Sequence, residues 1–150
     1  MAITTAMCNS FKQELLGGVH DLDTDVLKLA LIKTSMAGTY GAATTNYSDV
    51  TGNTDEAVGT NYTAGGQALT PDTSAGPAIS LDSGTAIIDF VDEVFGNVTV
   101  STAGCIIYNS TQGNKAVAVI DFGGTVSATA GDLTIEFPAA AAATAVIRIA

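Results

Sequence analysis

His20 is the single histidine in a chain of 150 residues, so ordinary acid–base or nucleophilic chemistry would have to pass through it. A serine or cysteine nucleophile needs a base to take its proton, yet no G-x-S-x-G elbow marks a partner serine. No second histidine, cysteine or acidic residue stands at ligand spacing, which argues against zinc. His20 is therefore expected at the surface, between a helix and a strand. In "DLDTD", Asp21, Asp23 and Asp25 alternate as a calcium loop opens, but Val26 stands where that loop needs glycine and Ile32 where it needs glutamate. A solvated turn is the simpler reading. Asp89, Asp92 and Glu93 could pair carboxylates for glycoside cleavage, but the chain has no tryptophan to stack on a sugar. "GTNYTAGG", residues 59–66, lacks a phosphate-loop lysine and leads into no helix. Its glycines are expected to serve tight turns or close backbone approach. Sequons at Asn46, Asn61, Asn97 and Asn109 are close to chance in so Thr- and Asn-rich a chain. No catalytic, cofactor-binding or metal-binding residues are expected, and no enzyme.

The bulk composition points the same way. Charged residues make up 13%, about half the usual share of roughly 25%, so Thr, Ser, Asn, Gly and Ala must form much of the surface. Such a surface is cheap to desolvate against another protein. The net charge is −10, and Lys12, Lys28, Lys33, Lys115 and Arg148 are the only basic residues. Nucleic acid needs clustered Lys and Arg to displace counterions, and an anionic membrane is equally unfavourable. Cys8 and Cys105 are expected as buried free thiols. The first residues lack the pattern of a signal peptide, and no apolar run approaches the roughly 20 residues of a membrane span. A soluble protein made in a cytoplasm is expected.

The elements that would position any site are mostly strands. Met7, Cys8, Phe11, Leu15 and Leu16 fall at helical spacing after a Thr4 or Thr5 cap, and Gly17-Gly18 stops the pattern, which predicts a helix over 4–16. "VLKLALIK" predicts a strand over 26–33. Residues 34–78 read as an extended loop or arm with a short strand or two, and a loop that long is usually functional. The main β-sheet region follows over 79–150. Asp82-Ser83-Gly84 predicts a hairpin turn there, with strands at about 94–101, 104–109, 115–122 and 132–137 and a closing strand in "TAVIRI". "AAAAATA", 139–145, reads as a connector. Turns every 8 to 12 residues or so predict a single all-β domain over 1–150, an antiparallel β-sandwich, jelly-roll-like or another Greek key, with one short N-terminal α-helix.

Two strands raise a question of cover. In "CIIY" Cys105 and Ile107 oppose Ile106 and Tyr108, and in "KAVAVIDF" Ala116 and Ala118 oppose Val117 and Val119. A sheet with one wet face would alternate apolar and polar residues. One short helix cannot cover so much, so an oligomer or docking onto a larger assembly is expected. Tyr40, Tyr47, Tyr62, Met7 and Phe11 are the partner-interface candidates.

"CNSFKQELLGGVHDLDTDVLKLALIKTSMAGTYGAATTNYSDV", then "GTNYTAGGQAL", "IIYNSTQGNKAVAVIDFGG" and "LTIEFP" follow one another in this order. The series resembles a family of small tailed-bacteriophage and prophage virion proteins, with Tyr62–Gly66 and Tyr108–Phe122 as its best markers. The resemblance departs at 139–145, where a more polar linker is usual, and carries over no functional residues. It implies a phage virion structural protein of capsid decoration or cement type, on the capsid exterior. Its partners would be the major capsid protein, itself as a homo-oligomer, or both, with no nucleic acid, membrane or small-molecule substrate. The alternative is a tail- or fibre-associated module that binds the host surface through tyrosines 40, 47 and 62.

Overall fold

In a computed structural model, which describes residues 1–150, the chain runs β1 (Ala6–Met7), α1 (Asn9–Leu16), β2 (Leu27–Ile32), α2 (Ser48–Gly52), β3 (Gln67–Ala68), β4 (Ile79–Asp82), β5 (Thr85–Ile88), β6 (Glu93–Asn109), β7 (Lys115–Ile135) and β8 (Ile147–Ile149). The all-β class, antiparallel pairing and a short N-terminal helix are as expected. The strands form a five-stranded sheet in the order β1-β7-β6-β2-β3 and a three-stranded sheet in the order β4-β5-β8, whereas a jelly roll arranges eight strands in two Greek keys. The chain's contacts gather into two compact units, Met1–Ala68 with Phe95–Leu133, and Leu69–Val94 with Thr134–Ala150.

The helix is shorter than 4–16. Thr4 donates its amide to the Tyr40 carbonyl, and Ala6 and Met7 pair with Val119 and Ala118, so the chain stays extended up to Cys8. Neither threonine caps the helix, whose N-cap is Cys8 with no capping bond from its side chain. Gly17 ends it as expected, with Gly18 at φ +70°. Phe11 is the buried residue of α1, and Leu16 points to water.

The strands expected at 94–101 and 104–109 are one strand, β6, and those at 115–122 and 132–137 are one strand, β7. Thr102 removes the first break, because its buried hydroxyl donates to the Ile32 carbonyl at 2.7 Å. Gly123, Asn97 and Ala130 have positive φ, so irregular backbone is absorbed within strands rather than ending them.

Register shows what covers the first unit's sheet. Leu27, Leu29 and Leu31 face Asn109, Ile107 and Cys105, while Lys28, Ala30 and Ile32 face Tyr108, Ile106 and Gly104. Directly opposed residues share a face. The Asn109 face lies under α1 and His20, whose ring stacks at a tilt on Phe11, 4.9 Å between centroids. The Tyr108 face lies under residues from the stretch read as an arm, with Tyr47 stacked on Tyr108 at 4.5 Å and 10°. Residues 34–78 are therefore not an extended arm. They carry α2, β3 and the buried Tyr40, Val50, Asp55, Ala57 and Leu69. The cover expected from another molecule comes from this chain: Ile106, Ile107, Ala116, Val117 and Val119 are all fully buried.

The second unit is built on β4, β5 and β8. The expected hairpin is present, with Ser83 and Gly84 both at positive φ, as a two-residue turn matched to strand twist requires. Ile87, Ile88, Phe90 and Ile147 form its core. Residues 139–145 connect β7 to β8 without a strand, as expected.

Candidate functional site

The tyrosines offered as interface candidates turn inward onto two adjacent carboxylates. Asp55 is fully buried and accepts from the Tyr40 hydroxyl at 2.6 Å, the Gly38 amide at 2.7 Å and the Ala37 amide at 2.8 Å. Lys33 Nζ stands 3.1 Å away. Burial alone would raise this acid, but bonds from Tyr40, Ala37, Gly38 and Lys33 outweigh it and hold the carboxyl at about 2. The same contact works in reverse on Tyr40, which burial first and then Asp55 push up to about 12.

Glu56 does the same for the next two tyrosines. Its Oε2 accepts from Tyr47 at 2.5 Å, and its Oε1 accepts from Tyr62 at 2.9 Å and from the Gly65 amide at 2.6 Å. Tyr108 completes the group by donating to the Gly65 carbonyl at 2.7 Å. Burial and the Glu56 charge raise both Tyr47 and Tyr62. Gly66 lets this loop close on β2: φ is +67°, and a Cβ there would collide with the Leu29 carbonyl, the close approach expected of these glycines. Of the five candidates, Tyr40 and Phe11 are buried, and Met7, Tyr47 and Tyr62 are half-buried. The structure brings the three tyrosines to this double lock, and leaves Met7 in β1, paired with Ala118, and Phe11 buried in α1.

His20 is buried, contrary to the surface position expected of it. Asn109 Nδ2 lies 3.0 Å from its Nδ1, and Glu14 Oε2 lies 3.0 Å from its Nε2. An amide nitrogen can only donate, so Nδ1 accepts and Nε2 carries the hydrogen given to Glu14. Lys115 donates to the other Glu14 oxygen at 2.6 Å, and Asn109 also donates to Asp25 at 2.7 Å. Both ring nitrogens are occupied, and the network ties α1 to the β6–β7 turn. Cys8 and Cys105 are buried and free. Burial, with help from Asp49, pushes the Cys8 thiol up to about 12, and burial raises Cys105 too, which is the opposite of an activated thiolate.

The acidic candidates are likewise spent on their own backbone. Asp21 accepts from the Asp23 amide and Asp25 from the Asp21 amide. Asp89 accepts from the Phe90 amide and Asp92 from the Phe137 amide. No three His, Cys, Asp or Glu side chains come together to hold a metal. No helix is long and apolar enough to cross a membrane.

What stays open is an edge. On the outer side of β2, the Leu31 amide donates to Tyr62 Oη, the Leu31 carbonyl accepts from Ala57, the Lys33 amide donates to the Asp55 carbonyl, and β3 pairs at Lys28 and Leu29. The outer side of β7 is closed as far as Asp121, by Thr45 at Ala116, Cys8 at Val117, β1 at Ala118 and Val119, and Thr5 Oγ1 at the Asp121 amide. Beyond Asp121 no strand of the sheet lies on that side. Residues 122–131 are uncharged, and most are exposed. Ser127 and Thr129, with Thr99, Ser101, Lys33 and Val58, also line an open groove of about 580 Å³.

A smaller opening exists in the second unit. Leu81, Ala86 and Ile149 stand directly opposite one another across its three strands, and all three are exposed, Leu81 by 72%.

Sequence reasoning missed Asp55, Glu56 and the free edge. "NTDEAV" looks like an ordinary acidic turn, and the only signal was three tyrosines nearby with few bases to satisfy two acids. "GGTVSATAG" read as a gap between strands, although its Thr-Val-Ser-Ala-Thr core has no charge and no proline. Comparison of the chain with protein-family models, curated proteins and solved structures gives no match.

Proposed function

We propose that this chain is a structural protein of a tailed-bacteriophage particle, most simply a capsid decoration protein that adheres to the outside of the shell and stabilises it. One observation carries the reading: the groups that could do chemistry are consumed inside the fold, while an uncharged strand edge is left open. Edges of this kind invite pairing with another chain. The sequence resemblance supplies the phage context, and the net charge of −10 suits a position outside a shell rather than against packaged DNA. The self-covered sheet of the first unit makes a stiff body, which reinforcement of a shell requires.

The tail- or fibre-associated alternative drew on tyrosines reaching out to sugars or grooves. Tyr40 is buried and the Tyr47 and Tyr62 hydroxyls are held by Glu56, so that support is gone. Copy number tests the proposal. A decoration protein should approach the major capsid protein in a stained gel of purified particles. A trace band would return the reading to the tail, and no band would remove the virion role.

A further inference from the structure

We infer that the outer edge of β7, over residues 124–129, receives an extended strand from a different protein, one with Lys or Arg at both ends. The inference concerns this edge alone and does not need the capsid reading. Three observations carry it.

The first is orientation of the backbone. The Ala130 amide donates toward β6, to Thr99 Oγ1 at 2.9 Å. Alternation along a strand then turns the amides of Thr125, Ser127 and Thr129 outward, where no strand lies. Positive φ at Gly123 and Ala130 bounds a regular stretch about as long as an ordinary strand of roughly 5–6 residues.

The second is the lack of defence. Edge strands are commonly blunted by lysine, proline or an inward charge, and residues 122–131 contain none of these. The rim along β2, and along β7 up to Asp121, is closed by β1, β3, Tyr62 and residues 45 and 55–57, and where β6 runs past β2, Thr60 pairs with Thr99. Ser127 and Thr129 also form part of the groove wall, and alternate side chains of an added strand would stand on that same face.

The third is charge. Asp121 and Asp132, both exposed, flank the open stretch, and each has one carboxylate oxygen engaged, by the Gly123 and Asn97 amides. A second copy paired antiparallel and centred on 124–129 would set Asp121 against the other copy's Asp132 at both ends. Like charges directly opposed destabilise a strand pair, and the net charge of −10 adds to the cost. A strand with basic ends meets two opposite charges instead.

The test is a titration of isotope-labelled protein, read from its amide resonances, with two synthetic peptides of alternating threonine and valine. One ends in lysine at both ends and the other in glutamate. Main-chain bonding supplies most of the affinity in strand addition, so a generic strand serves as the probe. The lysine peptide should move the Thr125, Ser127 and Thr129 amides and bind about tenfold more tightly than the glutamate peptide, as two exposed ion pairs allow. Asp121→Asn with Asp132→Asn keeps the oxygens that the Gly123 and Asn97 amides need, and should erase the difference between the peptides. Unmoved edge amides at millimolar lysine peptide would overturn the inference, as would equal binding of the two peptides by the unaltered protein. Movement of the same amides with protein concentration alone would give the edge to a second copy, and would overturn it as well.

Discussion

The two outer rims of the five-stranded sheet are treated differently. The β2 rim is closed along its length by β3, by residues 55–57 and by the Tyr62 hydroxyl. The β7 rim is closed from Lys115 to Asp121 and open from there to Gly131. Closing a rim removes unpaired amides and carbonyls that would otherwise seek a partner. The chain closes one rim with a stretch of some thirty residues, held by two carboxylates that gather tyrosine hydroxyls and backbone amides. The surface left open is therefore the part that this machinery does not reach, and the tyrosines belong to the machinery.

The largest break should come at the tightest closure. Gly66→Ala places a Cβ against the Leu29 carbonyl at positive φ, and should cost roughly 3 kcal/mol or more in denaturant unfolding, since backbone cannot yield there as a side chain would. Asp55→Asn should cost about as much, near 3 kcal/mol, because the amide would turn a donor toward the Tyr40, Ala37 and Gly38 donors that the carboxylate accepts from, and leave Lys33 without its charge partner.

Acid should act through the same group. Asp55 has its carboxyl held at about 2, below the ordinary 3.8. A depressed acid contributes stability that is complete above the unfolded value, near pH 4, and is lost as pH falls through about 2. Acid titration of stability should show a loss of roughly 2 kcal/mol across that window, absent in Asp55→Asn. Tyr62→Phe removes one donor to Glu56 and the acceptor for the Leu31 amide, and should cost about 1–2 kcal/mol.

Open positions should respond least. Val126→Lys on the β7 edge, and Leu81→Ser in the exposed row of the second unit, should each change stability by under about 0.5 kcal/mol. A cost above about 2 kcal/mol at either would mean that the position is covered. The second unit sharpens the comparison in another way. It covers Ile87, Ile88 and Ile147 but leaves Leu81 and Ile149 in water, as a small unit with little chain to spare must.

Much of this fold was legible in the residues. Apolar runs marked β2 and parts of both arms of the long β6–β7 hairpin, Ser83-Gly84 marked the β4–β5 turn, and Gly17-Gly18 marked the end of α1. The start of α1 was not legible, because pairing of Ala6 and Met7 with β7 overrides a helical pattern that is locally sound. The two-faced strands were read correctly as needing cover on both sides. Their cover was assigned to a partner because polar, glycine-rich residues 34–78 look like solvent-facing loop. Hydrogen bonds to Asp55 and Glu56 make that stretch compact, and bonds between residues far apart leave no periodic trace. The free edge was hidden for a related reason, since openness of a strand depends on which neighbours are missing.

Amide hydrogen exchange of the isolated chain, at concentrations where it is monomeric, tests the contrast between the closed and open rims most directly. The expected result is slow exchange for Leu31, Lys33, Ala57 and Ala116, together with fast exchange for Thr125, Ser127 and Thr129. Slow exchange at those three edge amides, or loop-like exchange at Ala57 and Lys33 while β6 stays protected, would contradict the account.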